Sequence, residues 1–303
     1  MPAWPGPRTR RWTVVAALTA ATAAAAYAAR WIRDAIESQP LLPVPASPAA
    51  RDPAAARAQQ RLADTWLWRL VEGRIVAHAL RPFRVRPGLE RLRVLNLDHG
   101  PGGVAAALAA QAPQDALVVA TDVVPGMAAL AAHRAARRGV RAALRFVQAS
   151  PAALPFASEA FHLVVSAGGM HQWPRPQAAL EEVRRVLAPG GRYLILEARR
   201  DMPSALWVVV QLVQRRLAPR DLRAIDEPSA SLRAAYTPRE VEWFAARARL
   251  PDLHVRAGRW WIALERAGPA ESESGSSSTG GVSSHMALDQ AGPAERRAAT
   301  QHS

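Results

Sequence analysis

Between residues 61 and 265 the hydrophobic pattern changes period several times. Short runs rich in aliphatic, β-branched and aromatic residues occur at Arg93–Leu97, Ala116–Thr121, Ala143–Val147, Phe161–Ser166 and Arg192–Glu197. Largely apolar runs of that length predict strands covered on both sides. Helical spacing fills the intervals, at Gly103–Gln111, Gly126–Arg138 and Gln177–Leu187. In the last of these, Ala179, Leu180, Val183, Val186 and Leu187 share one face, and Pro189-Gly190-Gly191 predicts its end. Strand and helix in regular alternation predict a parallel sheet with helices on both faces.

Before this block, Leu62, Trp66, Leu70, Ile75 and Ala79 predict a helix over Arg61–Leu80, lying on the sheet edge or the ligand side. After it, helices are predicted at Ser204–Leu217 and Pro238–Arg249. Thr237-Pro238-Arg239-Glu240 is a capping box with proline at the first helical position. Strands at Leu253–Ala257 and Trp260–Glu265 meet at Gly258-Arg259 and predict a hairpin.

The flanks follow other rules. Residues 1–11 are a basic N-terminus. Trp12 to Ala29 is a run without charge between Arg8, Arg10, Arg11 and Arg30, Arg33, at the short end of a spanning helix. Three readings fit it: a single-pass anchor, a secretory signal cleaved after Ala26-Tyr27-Ala28, or an alanine-rich extension. Residues 30–57 form a proline- and alanine-rich linker, the main domain occupies 58–267, and 268–303 has the serine-rich composition of a disordered tail.

Composition narrows the chemistry. There is no cysteine, which excludes disulfides, thiolate metal sites and cysteine nucleophiles. The net charge is +14 and all 39 basic residues are arginine, spread along the chain as solvated helix faces rather than massed as a nucleic-acid surface.

The first strand runs directly into Asp98-His99-Gly100-Pro101-Gly102-Gly103, a glycine turn that lets a ligand approach the backbone. Asp122 closes the second strand 22 residues after Gly100, where a carboxylate can accept ribose hydroxyls. With these residues in place, the stretch from Val94 to Glu197 resembles the class I methyltransferase family that uses S-adenosylmethionine (SAM), in its branch related to quinone methyltransferases. Thr121 to Met127, Arg145 to Gln148, Ala153 to Phe156, Phe161 to Ser166 and Glu182 to Arg192 match the family's later motifs in order.

The resemblance implies a Rossmann-like α/β fold: a seven-stranded, mostly parallel sheet with helices on both faces and an antiparallel terminal strand pair. It implies SAM as cofactor, no metal, and a small, lipophilic acceptor. Gly100 and Gly102 would line the methionine moiety, Asp122 would bind the ribose, and Val123 and Met127 would pack on the adenine. Ser166 and Ala167 would border the sulfonium and the acceptor. His171 is a candidate general base, or simply lines the pocket.

Four positions depart from the family pattern. Asn96 stands for an acid, Asp98 for the first glycine, Ser150 for the adenine-binding aspartate, and His162 for the aspartate of the fourth strand. Asp98 is the costly one: two like charges about 4 Å apart repel by about 1 kcal/mol in water and about 4 kcal/mol near a protein surface. A silent, membrane-tethered relative is therefore the rival to an enzyme. Membrane association with a cytoplasmic main domain is the expectation, because SAM is a cytosolic metabolite; the arginines, three before residues 12–29 and two after, lean the other way and make export the alternative.

Overall fold

The computed structural model describes residues 66–83, 91–124, 126–140, 144–224 and 226–266, together with Thr19 and Thr22. The expected hydrophobic segment, linker and tail lie outside the described residues, apart from those two threonines. Among the described residues no helix is long and apolar enough to cross a membrane.

Seven strands form one sheet: β1 (Arg93–Leu97), β2 (Leu117–Asp122), β3 (Leu144–Gln148), β4 (Phe161–Ala167), β5 (Leu187–Ala198), β6 (Leu253–Ala257) and β7 (Trp261–Arg266), in the order β3-β2-β1-β4-β5-β7-β6. The first five pair in parallel; β7 runs antiparallel to β5 and to β6. This is the Rossmann-like sheet with an antiparallel terminal pair that the resemblance implies.

Each strand sends alternate side chains to opposite sides. Val94, Val118, Leu163, Val165 and Leu194 face one apolar layer with α1 (Trp66–Leu80) and α2 (Gly103–Gln111). Leu95, Leu97, Val164, Tyr193 and Ile195 face the other, with α4 (Pro176–Val186) and α8 (Pro238–Ala248). Helix α3 (Met127–Arg137) adds Ala135 to the first layer.

The chain therefore leaves β1 for one face and β4 for the other. Between those neighbouring strands lies the topological switch point, where the departing chains diverge and leave a crevice at their carboxyl ends.

Helix α1 packs on the first face. Its Glu72 lies 3.6 Å from Arg138 and 4.0 Å from Arg134, and His78 meets Glu265 of β7 at 2.7 Å. Pro189-Gly190-Gly191 does not simply end a helix: β5 begins at Leu187 and carries these residues as an irregularity, pairing Phe161 with Leu187 and next Leu163 with Arg192. After β5 come α5 (Ser204–Leu217) and two short helices absent from the sequence expectation, α6 (Arg220–Ala224) and α7 (Ser229–Ala234).

The capping box forms as expected. The Thr237 backbone N–H donates to Glu240 Oε2 at 2.7 Å, and the Glu240 N–H donates to Thr237 Oγ1 at 3.4 Å. Replacing Thr237 with Ala leaves a helix donor without its partner, and the expected loss is about 1 kcal/mol. Urea unfolding should show a lower midpoint at unchanged slope, with Thr237→Ser close to the parent.

Candidate active site

The crevice is built from the residues that follow β1, β2 and β4. Asp122 at the tip of β2 takes the Gly100 N–H on Oδ2 and the Val124 N–H on Oδ1, each at 2.9 Å. The His99 N–H donates to Thr121 O at 3.1 Å, so the glycine turn is tied to β2 twice. A carboxylate offers roughly four lone-pair directions, and two remain on Asp122.

The two glycines of the turn play different parts. Gly100 has φ +49 and open space where a side chain would begin. Gly102, at φ +80, packs on α3: a Cβ there would lie 2.5 Å from that of Ala131. Gly126 and Gly168, which follow β2 and β4, also have open space at the Cβ position.

Asp98 keeps the backbone of the glycine it replaces, with φ 50, a left-handed conformation that costs a residue with a side chain about 1 kcal/mol. Its carboxyl points across the crevice, packs on Gly169 and accepts the Trp173 indole N–H on Oδ2. Burial pushes this carboxyl up to about 7; Trp173 and His171 oppose the rise while Asp122 and Glu197 add to it.

Behind Trp173 lies a buried pair. His171 donates its backbone N–H to Glu197 Oε2 at 3.0 Å and places Nδ1 3.1 Å from the same oxygen. Burial disfavours the charged ring, but Glu197, helped by Glu227 and Asp98, outweighs it and holds His171 above the usual histidine value. Burial likewise opposes the Glu197 charge, and His171 with the His171 and Ala198 N–H groups hold that carboxyl below its usual range. Glu227, more remote, is pushed up by its own burial.

The other expected site residues fall as follows. Asn96 is buried and donates through Nδ2 to Val165 O at 3.1 Å and Leu97 O at 3.3 Å, while its Oδ1 and the buried Ser166 Oγ have no hydrogen-bond partner among the described residues. Val123 is 40% exposed at the crevice rim. Met127 is buried, with the half-buried Val124 and Leu130 packed against it. Ser150 follows β3 and its Oγ takes the Ala152 N–H at 3.3 Å. Ala167 ends β4, half-buried. His162 sits at the opposite end of that strand, with Nδ1 accepting the Arg93 N–H at 3.1 Å.

Sequence reasoning missed Glu197 and the Asp98–Trp173 contact. The signal for Glu197 was the one used for Asp122: an acid closing an apolar strand.

A family model described as a methyltransferase domain matches residues 95–195. A demethylmenaquinone methyltransferase of Thermus thermophilus is 36% identical over 166 residues, covering 55% of this chain and 73% of the relative. The chain belongs to the class I SAM-dependent methyltransferase family. This methyltransferase also matches a ubiquinone/menaquinone biosynthesis C-methyltransferase of Rhizobium meliloti, 38% identical over 37% of this chain, of which it spans 43%. Two solved structures share the fold. A candidate SAM-dependent methyltransferase of Methanococcus maripaludis has a TM-score of 0.54 at 18% identity over 70% of this chain and 91% of its own. A SAM-dependent methyltransferase of Aquifex aeolicus has a TM-score of 0.50 at 18% identity over 71% of this chain and 97% of its own.

SAM is the cofactor of this family, and the nucleoside half of the crevice fits it: Asp122 retains lone pairs, and Gly100 and Gly126 leave room at the backbone. At the methionine half the fit turns on whether Asp98 is neutral, since the cofactor brings a carboxylate of its own.

The Asp98 shift has a sign that can be measured. Its folded value is raised, so the folded state keeps a proton between about pH 4 and 7 that the unfolded chain has released. Stability is then greatest below pH 4 for this group and falls as pH rises to about 7, by about 4 kcal/mol as an upper figure. Urea unfolding across that window should show a smaller decline for Asp98→Asn than for the parent.

Proposed function

We propose that this methyltransferase moves a methyl group from SAM to a ring carbon of a lipophilic quinone-type acceptor. The observation that carries the reading is the Asp122 carboxylate bound to the Gly100 N–H, which joins the glycine turn and the ribose-type acid into one crevice. Support for the acceptor class comes from the Thermus relative, whose name specifies demethylmenaquinone.

When bound, SAM supplies a methyl group made electrophilic by a sulfonium. In this reading Asp122 receives the ribose hydroxyls on its free lone pairs, Val123 covers the base from the rim, and Gly100 lets the ligand approach the main chain. Ser166 Oγ, buried without a partner, is a group the bound ligand would satisfy. Met127 and Gly102 act from behind, by fixing α3 against the turn.

A ring carbon that gains a methyl must lose a proton. His171 is the residue for that proton: Nδ1 faces Glu197, and Nε2, whose neighbour is the Gln172 side-chain amide at a long 3.4 Å, receives it. The buried Glu197 carboxylate stabilises the imidazolium that forms, so it positions and strengthens the base without touching the acceptor. Transfer itself rests on alignment of carbon, methyl and sulfur.

Calorimetry of the full chain with SAM is the direct test. Saturable heat is expected, with Asp122→Ala weakening affinity about tenfold or more; no heat at millimolar SAM would overturn the reading. Asp98→Gly should tighten binding, most strongly above pH 7, where the parent's carboxyl is ionised.

The base assignment has its own readout. Activity requires neutral His171 and should rise with pH through a value above the usual histidine one. Glu197→Gln removes the charge that holds that value up, so the acid limb of the kcat profile should move to lower pH while SAM affinity stays put. An unmoved limb would remove His171 from the mechanism.

A further inference from the structure

Helix α5 is built with its polarity reversed. Its inner face carries Gln214, 5% exposed, which accepts the Ser229 N–H at 3.0 Å and donates to Asp226 Oδ1 at 2.6 Å. Trp207, also buried, donates to Arg200 O at 3.4 Å. These contacts tie the helix to α7 and to the chain that leaves β5. The outer face carries Val208, Val209, Leu212 and Val213, exposed by 41, 54, 54 and 47%. At the helical repeat these four span an arc of about 140° facing solvent.

A helix that buries a glutamine and exposes four aliphatic side chains has its outer face matched to something apolar. Its charge says what. Arg215 and Arg216 continue the same arc in the last turn, and Arg220 and Arg223 follow in α6; all four are exposed. Of the acids that follow, Asp226 is engaged by Arg233 and Gln214, and Glu227 is buried. An aliphatic row ending in guanidinium groups is the pattern of a helix lying in the interface of an anionic bilayer, where acyl chains take the first and phosphates the second.

The position of the helix adds to this. A cavity of about 630 Å³ opens at its N-terminal end, with Met202 and Pro203 on one side and Gly258 and Arg259 on the other. Next to Arg259, Trp260 is 51% exposed on the β6–β7 hairpin, an amphipathic ring of the kind found at lipid headgroup level.

We propose that the outer face of α5 docks on an anionic lipid bilayer, with the aliphatic row in the acyl boundary and the arginines among the headgroups, which brings the adjoining cavity to the lipid surface. The docking is independent of residues 12–29 and of the methyl-transfer reading, and it is measured without SAM or acceptor.

The test is co-sedimentation of the full chain with vesicles of phosphatidylcholine, with and without phosphatidylglycerol. Binding is expected with phosphatidylglycerol and should weaken in high salt. Arg215→Glu with Arg216→Glu should reduce it about tenfold or more. Val209→Ser with Leu212→Ser should reduce it too, while leaving SAM affinity and circular dichroism unchanged. A parent that ignores anionic vesicles would overturn the proposal. So would retained binding in both variants, which assigns it to another segment, or a serine variant that turns a dimer into a monomer with vesicle binding unaltered, which makes this face a contact between copies.

Discussion

The Asp122 carboxylate holds the crevice together. Its oxygens take one N–H from the turn after β1 and one from the turn after β2, both at 2.9 Å. Neither donor belongs to a helix or a sheet ladder, so without this side chain each would need water or a ligand. The clamp ties the two turns that carry Gly100 and Val123 to one carboxylate. A residue that organises the empty site and retains lone pairs for a guest makes the site ready before anything binds.

Asp98 pulls the other way. In the left-handed backbone of the glycine it replaces, it carries a carboxyl that burial makes reluctant to ionise and that Trp173 holds in place. The proton on that carboxyl is shared electrostatically with His171, Glu197 and Asp122. The methionine half of the crevice is thus a small acid-base cluster in which no charge can change without affecting its neighbours.

Much of this could be read from the chain. The parallel core was legible because its strands are short, largely apolar runs, and α8 because Thr237 and Glu240 sit three residues apart. Gly100 and Asp122 were legible because their chemistry depends on short spacing within one β-α-β unit. The contacts that give the site its character depend on long spacing instead: Asp98 meets Trp173 across 75 positions and His171 meets Glu197 across 26. No periodicity encodes such meetings; the switch point makes them. The short α6 and α7 were also hidden, since five- and six-residue helices leave no repeat to detect. The packing of Met127 on Val124 and Leu130, and of Gly102 on Ala131, was not legible either, because sequence position does not say what a turn residue packs on.

Gly102 has a wider meaning for how this fold is assembled. The glycine allows the start of α2 to rest almost on the backbone of α3 at Ala131. The separation of α2 and α3 is therefore set by two small residues, Gly102 and Ala131. Any chain that places a larger side chain at either position must slide α3 outward, and the loop carrying Val123 must travel with it. A side chain at Gly102 would thus demand either a shift of α3 or a smaller residue in place of Ala131.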